Sequence, residues 1–226
     1  MEYKVTMTPL KRNDHVKAVG ILSMGDVRVR NFTLMENKDG GLFLVMPNRD
    51  TGKKGADGKH IYEEICHPIT KEMREELNKA AIDSYKSGHP ISLRDQEEGK
   101  MLVQAEVFDT PYFNRVGKAQ LLINEKIVIK NIFINQKADG SLYVSMPNYK
   151  TNQKNKDGKE LYSEIISMSK DFRKEVCAAV LKEYQLEKAY KEQNRLSIKS
   201  RLLAAQGKAE KQEPASAKNK QKEETL

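Results

Sequence analysis

The chain holds only two cysteines, Cys66 and Cys177, in 226 residues. They occupy non-equivalent positions of the internal repeat described below and form no CxxC pair, which argues against a disulfide framework or a cysteine zinc site. A reduced, cytoplasmic setting is therefore expected. Long apolar runs are missing as well, since no stretch approaches the roughly 20 residues of a membrane span. Met1 to Lys11 carries charges and lacks the apolar segment of a secretory leader, so no membrane partner is expected. Apolar residues make up 38% and charged residues 32%, a balance that leaves part of the chain outside any packed core.

What is present is a repeat. DGGLFLVMPN at Asp39–Asn48 returns as DGSLYVSMPN at Asp139–Asn148, with six of the ten letters identical and a displacement of 100 residues. The register extends outward: Asn31 matches Asn131, Thr51 matches Thr151, and Asp57-Gly58-Lys59 matches Asp157-Gly158-Lys159. Tyr62 with Glu64-Ile65 matches Tyr162 with Glu164-Ile165, and after a one-residue deletion Arg74 matches Arg173 and Tyr85 matches Tyr184. One module is used twice, and two units of this length make a tandem of small domains instead of a solenoid.

Each copy reads as strands followed by a helix, an α+β layout with a mainly antiparallel sheet. In the first copy, strands are expected over Val16–Ile21, Val27–Met35, Leu42–Met46 and His60–Cys66, with an Asp-Gly hairpin turn at Asp39-Gly40. A polar loop is expected from Asn48 to Lys59, and Thr70 is placed to cap a helix with Met73, Leu77, Ala80, Ala81 and Tyr85 on one face. The second copy repeats the plan, with a loop from Asn148 to Lys159 and a helix capped by Ser169. That helix finds no glycine or proline from Leu186 to Gln206 and is expected to continue until Gly207. The domain boundaries follow: a first module over 1–88, a linker over 89–100, a second module over 101–186, a helical extension over 187–206 and a disordered basic tail over 207–226.

These residues resemble the SpoVG family (stage V sporulation protein G). The first copy carries GGLFLVMPNRDT, then DGK, then EEICHPITKEMREEL; the second carries GSLYVSMPNYKT, then DGK, then SEIISMSKDFRKEV, without the His-Pro pair. The resemblance covers about residues 1–87 and 103–184. It implies a small nucleic-acid-binding regulator linked to septation and sporulation, without catalysis or cofactor. It also implies a module that pairs with itself, so the two copies are expected to form an intramolecular pseudo-dimer, with higher oligomers left open.

Net charge is +8, split as about +2 over residues 1–90, +2 over 91–190 and +4 over 191–226. A basic balance suits a polyanion such as DNA or RNA, because phosphate binding releases counterions. The candidate nucleic-acid contacts are the matched loops: Arg49, Lys53, Lys54 and Lys59 in one copy; Tyr149, Lys150, Lys154, Lys156 and Lys159 in the other. Arg74 and Arg173 form a matched pair at the helices. The bland alternative is a set of solvated surface charges. A second function class is a septation or regulatory protein-protein module, with Leu196, Leu202 and Leu203 as docking residues. His67 is read as structural, Glu63 and Glu64 as pointing to opposite strand faces, and Phe43 and Tyr143 as core.

Overall fold

The computed structural model describes residues 1–11, 15–94 and 100–210, with the backbone alone at 152 and 201–210. The first copy contains strands β1 (Glu2–Pro9), β2 (Val16–Met24), β3 (Val27–Glu36), β4 (Leu42–Val45), β5 (Asn48–Lys54), β6 (His60–Glu64) and β7 (Cys66–Pro68), helix α1 (Lys71–Ser87) and strand β8 (Ile91–Arg94). The second contains β9 (Met101–Tyr112), β10 (Arg115–Ile123), β11 (Ile127–Gln136), β12 (Leu142–Ser145), β13 (Asn148–Lys154), β14 (Glu160–Glu164), β15 (Ile166–Met168) and helix α2 (Lys170–Glu210). The α+β layout of two sheet-plus-helix modules with a long C-terminal helix is thus the observed one.

Period-two burial sets the sheets. Tyr3, Val5 and Met7 of β1 are buried while Glu2, Lys4 and Thr8 are exposed, so one face meets the core and the other water. On that inner face lies α1, capped by the Thr70 hydroxyl, which accepts from the Met73 N–H at 3.1 Å. It stops at Gly88, whose left-handed φ of 70° lets its N–H reach the Ser84 carbonyl. The turn returns the chain as β8, which pairs with β1. A strand therefore lies inside the segment read as linker: Ile91 and Leu93 alternate with polar neighbours and pack on the core. No equivalent glycine stops α2, which runs through Gly207 to Glu210; the rest of the expected tail lies outside the described residues. Gly117 of β10 is obligatory at a close approach, since an added Cβ would lie 2.6 Å from the Glu106 carbonyl oxygen and 2.8 Å from the Tyr184 ring.

The sequence places one strand over His60–Cys66, but the chain breaks there into two with different partners. β6 pairs with β5 of its own copy, whereas β7 pairs antiparallel with β11 of the second copy. Reciprocally, β15 of the second copy pairs with β3 of the first. The hinge is the same in both. Ile65 and Ile165 donate to the Pro47 and Pro147 carbonyls of their own copies, and accept from the Lys130 and Arg30 N–H groups of the opposite copies, at 2.7–2.9 Å. Beside each hinge, Asn31 (φ 67°) and Asn131 (φ 63°) adopt the left-handed conformation that asparagine tolerates. Cys66 and Ile166 are fully buried at equivalent points, and the buried residues of both copies join in one apolar cluster. Met1–Tyr184 accordingly forms one compact unit, and the part of α2 from Gln185 onward belongs to another.

Candidate nucleic-acid interface

The loops expected at Asn48–Lys59 and Asn148–Lys159 are not loops. Each is a two-stranded hairpin, β5–β6 and β13–β14, separate from the large sheets. Their polar sequences hide the strands, because the hairpins are held by hydrogen bonds and not by apolar burial. Thr51 donates its hydroxyl to the Ile61 carbonyl at 2.7 Å, and Thr151 donates to Leu161 at 2.9 Å. At the tips, the N–H groups of Gly55 and Asn155 reach the carbonyls of Lys59 and Lys159 at 2.8 Å, with Gly58 and Gly158 supplying φ of 77° and 76°.

Strand alternation gives each hairpin two faces. On one face of β5–β6, Arg49 lies opposite Glu63 and pairs with it at 3.0 Å. The same guanidinium stands 5.7 Å from the Phe133 ring of the second copy, whose face also receives Arg115 at 4.0 Å. Arg49, Glu63 and Phe133 border, together with Lys118, Lys130 and Asn131, a cleft of about 600 Å³. Partial burial raises the Glu63 carboxyl, but pairing with Arg49, helped by Asn131 and Lys130, outweighs it and leaves the group below its ordinary value. Arg49 is therefore committed to an internal contact. Tyr149 occupies its register position in the other hairpin, opposite Ser163.

The other face carries Tyr62 opposite Asp50, and Tyr162 opposite Lys150. Toward the tip, Asp50 contacts His60 at 2.6 Å, and Lys150 pairs with Glu160 at 2.7 Å. Toward the base, Arg74 grips Glu64 through two contacts of 3.0 and 3.2 Å, and Arg173 grips Glu164 through two of 2.6 and 2.7 Å. The bond to Glu164 raises the already high Arg173 value. Glu63 and Glu64 do point to opposite faces, as strand geometry requires. The candidate cations thus divide. Lys59 pairs with Asp57 at 3.4 Å. Among the described residues Lys53, Lys54, Lys154, Lys156 and Lys159 enter no ion pair, and all five are exposed.

Two expectations need correction. Phe43 and Tyr143 are 40% and 37% exposed instead of core, because each lies on the outward face of a short strand (β4 or β12), and Tyr143 accepts a 2.7 Å bond from Asn114. The sequence reading also passes over Tyr62 and Tyr162, which are 61% and 62% exposed. The signal that could have found them was in hand: both are matched repeat positions on a strand with polar neighbours.

The half-buried ring of His67 sits in β7 opposite Val128, with Glu64 at 4.0 Å, and the neighbouring Cys66 thiol is buried, which pushes it well above its ordinary value. Burial, then Lys130, pull the His67 value below the ordinary one, Glu64 opposes them, and Arg74 adds to the lowering. A depressed folded value means the folded state resists protonation, so the contribution is complete above about pH 6.5 and is lost as pH falls through the folded value. We expect the urea midpoint to fall between pH 7 and pH 5, and His67→Gln to flatten part of that dependence. An unchanged slope in the variant would contradict this role for His67.

The fold and site define a duplicated α+β module that presents two lysine-bearing hairpins from one core. The SpoVG family pattern matches residues 1–87 and 108–186, more than half of the chain. The chain belongs to the SpoVG family. Its relatives include proteins named "Putative septation protein SpoVG" from three bacteria. The Macrococcus caseolyticus protein is 30% identical over 81 residues, covering 36% of this chain and 65% of its own. That of Clostridium perfringens (strain ATCC 13124) is 38% identical over 67 residues, covering 30% and 67%. The protein of Lachnospira eligens is 28% identical over 87 residues, covering 38% and 92%. The chain thus spans about two thirds of the length of the first two relatives. No solved structure matches it, and no described helix is long and apolar enough to cross a membrane.

Proposed function

We propose that the protein is a non-enzymatic regulator that binds DNA or RNA through its two hairpins, in the service of septation and sporulation control. The observation that carries this reading is the presence in both copies of exposed lysines that enter no ion pair among the described residues, matched at Lys54 and Lys154 and joined by Lys53 in one copy and by Lys156 and Lys159 in the other, on a hairpin fixed by its own hydrogen bonds. Cations not committed to a carboxylate are the ones able to displace counterions from phosphates. The two copies act as an intramolecular pseudo-dimer, so a strand that engages one hairpin meets the other at high effective concentration. The test is fluorescence anisotropy with labelled duplex DNA and single-stranded RNA, comparing wild type with a variant carrying alanine at Lys53, Lys54, Lys154 and Lys156. Loss of salt-sensitive binding in the variant supports the reading, and wild-type silence at low salt overturns it.

A second reading is docking of a septation or regulatory protein. Leu186, Tyr190, Leu196 and Ile198 of α2 are all exposed, which favours it. Binding that survives high salt would mark that mode, since an apolar contact does not depend on counterion release.

A further inference from the structure

We propose that Tyr62 and Tyr162 are stacking platforms for unpaired bases, so that the hairpins take a single-stranded nucleic acid in preference to a duplex. This rests on the nucleic-acid reading above and specifies the state of the strand. Among the described residues the two rings make no ring–ring or cation–π contact. Each is about three-fifths exposed, outside the apolar cluster, and opposite a charged residue, Asp50 or Lys150, instead of an apolar partner. Among the described residues neither hydroxyl makes a hydrogen bond.

The surroundings have diverged while the ring has stayed. Opposite Tyr62 stands an acid on β5 whose partner toward the tip is His60 on β6; opposite Tyr162 stands a base on β13 whose partner toward the tip is Glu160 on β14. On the basal side both rings adjoin a carboxylate gripped by an arginine through two bonds, Glu64–Arg74 or Glu164–Arg173. Each aromatic side chain is thus flanked on both sides by paired polar groups and open on its surface. Every base has a π-face that such a ring can meet, at a gain on the order of ten- to a hundred-fold in affinity per base. In a duplex those faces are already covered by neighbouring bases. Lys53 and Lys54, or Lys154 and Lys156, lie on the same hairpins and would hold the adjoining phosphates.

The test compares a labelled oligouridine with a blunt DNA duplex, using the full chain and two double variants. Tyr62→Val with Tyr162→Val keeps a strand-forming residue but removes the π-face. Tyr62→Phe with Tyr162→Phe keeps the π-face. The expected result is that wild type binds the single strand more tightly than the duplex. The valine variant should lose on the order of a hundred-fold or more on the single strand with little change on the duplex, and the phenylalanine variant should retain wild-type binding. Tyrosine emission provides a second readout independent of valine's effect on folding. Oligouridine should quench wild type, and the phenylalanine variant should lose that quench while still binding. If the valine variant binds the single strand as wild type does, or no quench accompanies binding, the stacking role is overturned while the nucleic-acid reading stands. If wild type binds neither polymer, the nucleic-acid reading itself fails.

Discussion

Ile166→Ala is expected to cost about 2–5 kcal/mol, the range for truncating a fully buried isoleucine, and to loosen the sheet of the other copy. Ile166 belongs to the second module by sequence, yet it is 0% exposed and pairs with Val29 in the first module's sheet. Hydrogen exchange makes the distinction visible. Amide protection over β3 should fall in the variant, although β3 lies more than a hundred residues away in the chain. Because the buried residues form one cluster, urea unfolding followed by far-UV circular dichroism and by tyrosine emission should give one coincident transition, moved to lower urea in the variant. Two separate transitions, or protection lost only in β9–β12, would show that the exchanged strands do not couple the copies.

The second large effect is electrostatic. Alanine at Lys53, Lys54, Lys154 and Lys156 removes four exposed cations, of which none forms an ion pair among the described residues. If each neutralises one phosphate, the slope of log affinity against log salt should become shallower by about 3 on a single strand, and affinity near 0.1 M salt should fall by roughly a hundred-fold or more. Arg49→Ala should behave differently, because Arg49 is held between Glu63 and the Phe133 ring. Its removal should disturb the cleft between hairpin and sheet while leaving the salt slope nearly unchanged. A slope that does not move in the quadruple variant would place the phosphate contacts elsewhere, with α2 the first alternative.

The repeat made much of this legible without coordinates. Copied Asp-Gly turns, the Thr70 cap and the apolar face from Met73 to Ala81 are local signals, and local signals suffice for hairpins and helices. The exchanged strands were not legible, because Cys66–Pro68 and Ile166–Met168 are three residues each, too short for a period, and their pairing partners lie in the other copy. The strands β5 and β13 escaped for a different reason. Their lysines, glycine and asparagines are poor strand formers, and the ribbons are held by threonine-to-carbonyl bonds that no hydrophobic pattern reports. In the candidate site, sequence reasoning gathered the cations of the two segments as loop residues but could not divide them into paired and unpaired ones, since that depends on Glu63, Glu64 and Glu164 being brought within reach.

Photo-cross-linking tests the central claim most directly. Single-stranded RNA carrying 4-thiouridine would be irradiated with the full chain and the attached peptides mapped by mass spectrometry. The account predicts adducts within Asn48–Glu64 and Asn148–Glu164, with Tyr62 and Tyr162 among the modified residues. Adducts confined to α2 beyond Tyr184, with both hairpins untouched, would contradict it.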